Sequence, residues 1–377
     1  MANKNLAKAK NAKNDEFYTQ YADIQKEINA YLEYDTDVFR GKTILLPCDD
    51  PEWSNFTKFF AQNFENFGLK KLISTSYAVE SKIYKEGYIP SLFETQSPNF
   101  DEQKTRTRGK IFVLDHDTNN SGRIDIDDLQ WEYLEGDGDF RSSEVRKLRD
   151  EADIIVTNPP FSLFREFIAW IMEGKKKFLI LGNMNAITYK EIFPLIKENK
   201  IWLGTVSGAK EYIKPDGGIQ KMGNTYWFTN LEHGRRHQPL QLMTMEDNLK
   251  FSRHKDIKGK EYQYYDNYDA LEVPYTDAIP NDYENVMGVP VSFLDKYCPE
   301  QFVILGSEKQ NEGIRTKIYP EQIQVDKKGK RERVSKLNDG AAILLPDGTI
   351  PEGETYYIVE GRNYVQVYKR LFIRKKQ

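Results

Sequence analysis

Asp153-Ile154-Ile155-Val156-Thr157-Asn158-Pro159-Pro160-Phe161-Ser162-Leu163-Phe164 is a short apolar run that stops abruptly at two prolines. Ile154, Ile155 and Val156 are β-branched and too few for a helix, so the run reads as a buried strand. The prolines fix φ, remove two N–H donors and push Asn158 out of the α region. The strand therefore ends in a rigid loop. Its Asn158 and Pro159 carbonyls, with the Asn158 side-chain amide, form a cluster of acceptors facing outward. Phe161 adds a π-face beside them, and that pairing suits a planar heterocycle carrying an exocyclic amine. A proline turn closing a core strand is the plainer alternative that these residues leave open.

Working outward, the neighbouring segments alternate strand and helix. Toward the N-terminus, Ile24, Ile28, Tyr31 and Leu32 fall on one helical face. Lys42-Thr43-Ile44-Leu45-Leu46-Pro47 reads as a strand, Cys48-Asp49-Asp50-Pro51 as a loop, and Phe56, Phe59, Phe60 and Phe64 as the apolar face of the next helix. Strands follow at 71–77 and 110–114, a helix near 142–150, the central strand at 153–157, a helix over 162–173, a strand at 178–181 and a helix over 188–198. This is the pattern of an α/β fold with a doubly wound, mostly parallel sheet, whose ligands bind at the carboxyl ends of the strands. Asp49, Asp50 and Asn158 all fall at such ends and are expected to line one crevice. Past residue 240 the alternation fades into Tyr-, Asn- and Pro-rich sequence, with a hairpin expected in Tyr356–Arg374. The expected organisation is a basic tail over 1–14, a catalytic α/β domain over 15–240 and a recognition region over 241–377.

Composition sets the outer bounds. A chain of 377 residues has room for two domains of ordinary size. Low mean hydropathy, with no long apolar run and no signal-peptide pattern, predicts a soluble cytoplasmic protein that does not engage membranes. Cys48 and Cys298 lie far apart and without a CxxC spacing, so neither a disulfide framework nor a zinc site is implied. The net charge of −4 argues mildly against a nucleic-acid partner, but the charge is uneven. Lys4, Lys8, Lys10 and Lys13 form an acid-free tail, and Lys327-Lys328-Gly329-Lys330-Arg331-Glu332-Arg333 is strongly basic. Each is either a solvated segment or a set of phosphate contacts.

Gly136-Asp137-Gly138-Asp139-Phe140 pairs an acid with an aromatic ring after a flexible turn. Asp139 can accept from a purine amine while Phe140 covers the ring; the plain alternative is an acidic turn capping the next helix. Together with Asp15-Glu16-Phe17-Tyr18-Thr19-Gln20, Cys48-Asp49-Asp50-Pro51 and Asn158-Pro159-Pro160-Phe161, this set resembles the EcoRI-type adenine-specific DNA methyltransferases. The resemblance covers roughly residues 15–300, including Ile187-Thr188-Tyr189-Lys190-Glu191, Lys200-Ile201-Trp202-Leu203-Gly204 and Tyr265-Asp266-Asn267-Tyr268-Asp269-Ala270. It implies a Rossmann-like fold and methyl transfer from S-adenosylmethionine to the exocyclic amine of an adenine flipped from duplex DNA, by an enzyme acting as a monomer. Asn158, Pro159, Pro160 and Phe161 would then be catalytic. Phe17, Thr19, Asp49, Asp50, Asp139 and Phe140 would be on the cofactor side. The chain departs from the usual pattern in its first loop, where Cys48-Asp49-Asp50-Pro51-Glu52-Trp53 has no glycine. Trp227 resembles a second aromatic wall, although a core strand aromatic is the plainer reading.

Other chemistries compete for the same motifs. Pro47-Cys48 and Glu284-Asn285-Val286 match pieces used by cytosine-ring methyltransferases, but they are far too widely separated in the chain. An RNA or protein-glutamine N-methyltransferase could use the same Asn-Pro-Pro-Phe loop, and a non-enzymatic DNA-binding module would need no cofactor. Separately, Asp117-Thr118-Asn119-Asn120-Ser121-Gly122-Arg123-Ile124-Asp125-Ile126-Asp127-Asp128 matches a calcium loop. Ligands would come from Asp117, Asn119, Ser121, Arg123 and Asp128, implying a structural calcium ion. The same residues also suit an Asx-rich turn.

Overall fold

A computed structural model describes residues 18–49, 54–78, 95, 97–206, 211–213, 219–221, 223–311, 313–367 and 369–376. The chain divides into two compact units, one of residues 1–192 and 200–234, the other of 193–199 and 235–377. Among the described residues no helix is long and apolar enough to cross a membrane.

The first unit is built on an eight-stranded sheet. Its strands are β1 (Thr43–Leu46), β2 (Lys71–Ser76), β3 (Lys110–Leu114), β4 (Gln130–Tyr133), β5 (Ile154–Thr157), β6 (Lys177–Asn183), β7 (Trp202–Leu203) and β8 (Thr225–Thr229). Their spatial order is β4-β3-β2-β1-β5-β6-β8-β7. The centre β2-β1-β5-β6 is parallel throughout. β3 pairs antiparallel with both β2 and β4, and β8 with both β6 and β7, so only β3 and β8 run against the rest. The sheet is thus mostly parallel in direction but mixed in its pairings. The 110–114 run, expected to continue the parallel pattern, instead turns back beside β2. Central strands covered on both faces must be apolar throughout, and β1 and β5 are buried at every position.

Helices expected from the periodicities cover this sheet, except that the one expected over 188–198 shrinks to Phe193–Lys197 and belongs to the second unit. Helix α1 (Tyr21–Tyr34) buries Ile24, Ile28 and Tyr31, together with Glu27. Helix α2 (Asn55–Gln62) starts at Ser54, whose hydroxyl accepts from the Phe56 amide at 3.1 Å, and buries Phe56, Phe59 and Phe60. The Phe59 and Phe60 rings meet Phe39 and Phe67 at centroid separations of 5.6 to 6.1 Å, mostly edge to face, the geometry that aromatic quadrupoles prefer. Helices α3 (Ser143–Glu151) and α4 (Phe164–Glu173) flank β5 in sequence. Glu27 has no exposed surface, and its carboxylate accepts from the Thr205 and Val206 amides, both at 2.8 Å. Burial holds its proton affinity above that of an ordinary carboxyl.

The second unit carries two further sheets. One has four strands in the order Leu271–Glu272, Met287–Pro290, Arg370–Lys375, Phe302–Ser307. Arg370 Nη2 of its third strand meets Glu272 Oε1 of its outer strand at 2.6 Å, both side chains being under one-tenth exposed, and Tyr265 donates to the same carboxylate. A buried pair needs such extra donors to offset its desolvation. The other sheet has five strands and is antiparallel: Arg331–Val334, Gln322–Val325, Tyr356–Val359, Arg362–Gln366, Ala342–Leu344. The hairpin expected in 356–374 is Tyr356–Val359 with Arg362–Gln366, while Arg370–Lys375 leaves to join the four-stranded sheet. Tyr265 and Tyr268 of the tyrosine-rich stretch are core residues, and Tyr264 is exposed.

Candidate active site

The sheet's order reverses between β1 and β5, since the chain runs from β1 outward to β2 on one side and from β5 outward to β6 on the other. A crevice opens at such a switch point, outside the carboxyl ends of the strands. The residues after β1 and at the end of β5 meet there. Asp49 is 5% exposed; its Oδ1 accepts from Ser54 Oγ at 2.7 Å and its Oδ2 from Thr157 Oγ1 at 2.5 Å. Thr157 also lies 2.7 Å from the Pro47 carbonyl, so its single hydroxyl proton is shared between two acceptors of the first loop. The Asp49 main-chain carbonyl accepts from Ser74 at the far end of β2. One aspartate thus joins the ends of β1, β2 and β5.

The glycine-free loop solves its turn with a strained residue. Cys48 takes φ 72°, the left-handed region where glycine is the usual choice. Its thiol lies 3.4 Å from the Tyr77 hydroxyl, just past β2. Burial above all, then the Cys48 thiol, holds the Tyr77 phenol well above its ordinary proton affinity, so it stays neutral and accepts from that thiol. Gly138 brings the next loop close: its φ is 84°, and a Cβ there would lie 2.3 Å from the Ser76 carbonyl. The Ala78 amide bonds the Asp137 carbonyl at 2.8 Å, which fixes Asp139 beside the end of β2. Asp139 binds Arg141 through both oxygens, and Arg141 reaches Glu166 at 2.9 Å. Hydrogen bonding to Asp139 is the main cause of the raised proton affinity of that guanidinium.

The expected site residues among those described have definite places. Asn158 is part-buried directly after Thr157, with Oδ1 shielded from solvent. Pro159 is buried, Pro160 is part-buried and accepts from the Leu163 amide at 2.9 Å, and Phe161 is part-buried against the core beneath the sheet. Thr19 is 1% exposed, and its carbonyl accepts from Asn55 Nδ2 at 2.8 Å, so this segment adjoins the first loop. Phe17, Asp50 and the basic tail fall outside the described residues. Phe140 departs from the ring-covering role: it has no exposed face and packs edge to face on Phe167 and Trp170 at 5.0 and 5.6 Å. Trp227 is likewise a core aromatic, 1% exposed against Phe56. Ser54, Asn55, Tyr77 and the role of Thr157 were not singled out from sequence. A serine before an apolar helix and a lone hydroxyl ending a buried strand are the signals that mark two of them.

In the structure the 117–128 segment is an Asx turn whose side chains are engaged by its own backbone amides. Asp117 accepts from the Ser121 and Gly122 amides at 3.1 and 2.8 Å, and Asn119 from the Ser121 amide at 2.9 Å. Ser121 Oγ donates to the Arg123 carbonyl at 3.0 Å. Asp128, whose two oxygens would have to chelate the ion, gives Oδ1 to the Thr118 and Asn119 amides and Oδ2 to that of Asp125. Those amides, Asp125's foremost, lower its proton affinity. Among the described residues no cluster of three or more His, Cys, Asp or Glu is arranged to hold a metal ion.

A parallel-centred α/β sheet with an Asn-Pro-Pro-Phe loop at its switch point defines the class of amino-group methyltransferases. Comparison narrows this. The family model described as adenine-specific methyltransferase EcoRI matches residues 5–345. The chain is 43% identical over 326 residues to the Type II methyltransferase M.EcoRI of Escherichia coli, covering 81% of this chain and 90% of that protein. It is 35% identical over 318 residues to the Type II methyltransferase M.MpnI of Mycoplasma pneumoniae, covering 79% and 84%. No solved structure matches. The chain belongs to the EcoRI family of adenine-specific methyltransferases, the modification half of restriction–modification systems.

Two outcomes check this geometry. Thr157→Val keeps the side chain's shape but removes the donor to Asp49; it should cost about 1–3 kcal/mol of stability and lower the single-turnover rate, while Thr157→Ser restores both. Thermal unfolding and rapid-quench methylation measure the two effects. For the Asx turn, Asp128→Ala should lower the unfolding midpoint in calcium-free buffer, and millimolar calcium should leave the wild-type midpoint unchanged.

Proposed function

We propose that the chain methylates the N6 amine of adenine within one short duplex sequence, using S-adenosylmethionine, with the target base rotated out of the helix. The observation that carries this reading is the Asn158-Pro159-Pro160-Phe161 loop, braced through Thr157 to the first loop at the sheet's switch point. S-adenosylmethionine supplies an electrophilic methyl group when bound. Residues suited to its side of the crevice are those of the first loop, Thr19 and Asp139, together with Phe17 and Asp50. The sharp Cys48 turn and the close approach of Gly138 to β2 fit a backbone drawn in around such a ligand.

Asn158 Oδ1 and the Pro159 carbonyl accept the two hydrogens of the adenine amine. Those acceptors would concentrate lone-pair density on the nitrogen that takes the methyl group, the sulfonium sulfur would keep the electron pair of the broken S–C bond and leave as a neutral thioether, and the amine's surplus proton would pass to water. Phe161 stacks on the extruded base. Asp49 acts by bracing the loop, since its carboxylate is engaged by Ser54 and Thr157. Phe140 supports Asp139 from the core side. The second unit reads the target sequence, and the enzyme works in the cytoplasm as a monomer.

Asn158→Ala should lower the single-turnover rate on the order of 10²–10³-fold while duplex binding survives, because the amide acts in the transition state and affinity comes mainly from phosphate contacts. A variant keeping more than half the wild-type rate would refute the assignment.

A further inference from the structure

One strongly charged feature takes no part in the reaction just described. The strands Gln322–Val325 and Arg331–Val334 form a hairpin at the margin of the five-stranded sheet, with Arg331–Val334 as its outer strand. Its turn is rigid. The Asp326 amide donates to the Lys330 carbonyl at 3.0 Å, the Asp326 carboxylate accepts from the Lys328 and Lys330 amides at 2.8 and 2.9 Å, and Gly329 supplies φ 79°. Residues 326–334 hold five cations (Lys327, Lys328, Lys330, Arg331, Arg333) against two acids (Asp326, Glu332), a net +3 in a chain of net −4. The remaining residues therefore carry −7. All five cationic residues are exposed. Lys330 pairs with Glu332, and the Asp326 carboxylate is taken up by the turn.

We propose that this hairpin is a docking element for the phosphate backbone of duplex DNA, a proposal that rests on the reading of the chain as a DNA methyltransferase. A chain that is otherwise strongly acidic repels a polyanion, so its phosphate contacts must be concentrated where cations outnumber acids. Arg331 and Arg333, two apart on one strand, point to the same face; each offers a planar fork that matches phosphate oxygens. That face also carries Ile323, the cross-strand partner of Arg333 and 36% exposed, so no acid is paired across from the arginines there. A preformed turn loses little conformational freedom on binding, which favours a rigid target such as a duplex.

The test is the salt dependence of duplex binding by the full chain. Neutralising Lys327, Lys328, Arg331 and Arg333 to Gln should flatten the slope of log affinity against log salt by about 2 to 4 ion equivalents, at roughly 0.9 per phosphate contact. The single-turnover rate at saturating DNA should stay unchanged. A control with Lys26, Lys70, Lys147 and Lys175 changed to Gln removes equal charge from exposed sites on the first unit. A slope equal to that of wild type, a loss matched by the control, or a loss confined to an RNA duplex would each overturn the proposal. Methyl incorporation by the wild-type chain on the same duplex fails separately if the catalytic reading is wrong.

Discussion

The Asp49 carboxylate, shared between Ser54 and Thr157, is the contact on which the arrangement of the site depends. β1 and β5 are neighbours in the sheet but are separated by more than a hundred residues of chain, and each ends in a loop with its own conformational freedom. Backbone pairing stops at the sheet edge, so something else must hold the two loops in register. Thr157 does so with one hydroxyl directed at both Pro47 and Asp49. Because the next residue is Asn158, any slack in that joint would pass directly to the acceptor cluster, where small misplacement is costly to rate.

This joint also accounts for the loop that lacks glycine. A left-handed Cys48 costs on the order of 1–2 kcal/mol relative to an unstrained turn. The surrounding hydrogen bonds offset that cost: Ser74 and Thr57 converge on the Asp49 carbonyl, Ser54 and Thr157 on its carboxylate, and Tyr77 on the Cys48 thiol. Strain persists where the environment over-determines the backbone. Polar side chains converging from two strands and a helix do here what a flexible residue does in other loops.

Much of the fold was legible because buried strands and amphipathic helices leave periodic marks. Ile154-Ile155-Val156, Thr43-Ile44-Leu45-Leu46 and the Phe56, Phe59, Phe60 face needed no long-range information. What escaped was pairing direction: the 110–114 run has the composition of any buried strand, and only tertiary structure reveals that it turns back beside β2. The Asn158 loop was legible because proline leaves few conformations. The ring of Phe140 lies in the core, and an aromatic beside an acid has the same sequence signature whether its ring meets a ligand or Phe167 and Trp170. The 117–128 segment matched a calcium loop for a related reason, since the side chains that ligate an ion are also those that cap backbone amides. Thr157 was visible as a residue but not as a joint, for its partners lie 108 and 110 positions away.

The central claim is that the acceptor loop at the switch point serves an adenine amine in duplex DNA. Sequencing that reports methylated bases, applied to DNA from cells expressing the chain, addresses it most directly. The account predicts N6-methyladenine at one short recurring sequence and at no cytosine. Methylation confined to cytosine, or unmodified DNA alongside a labelled RNA or protein, would contradict it.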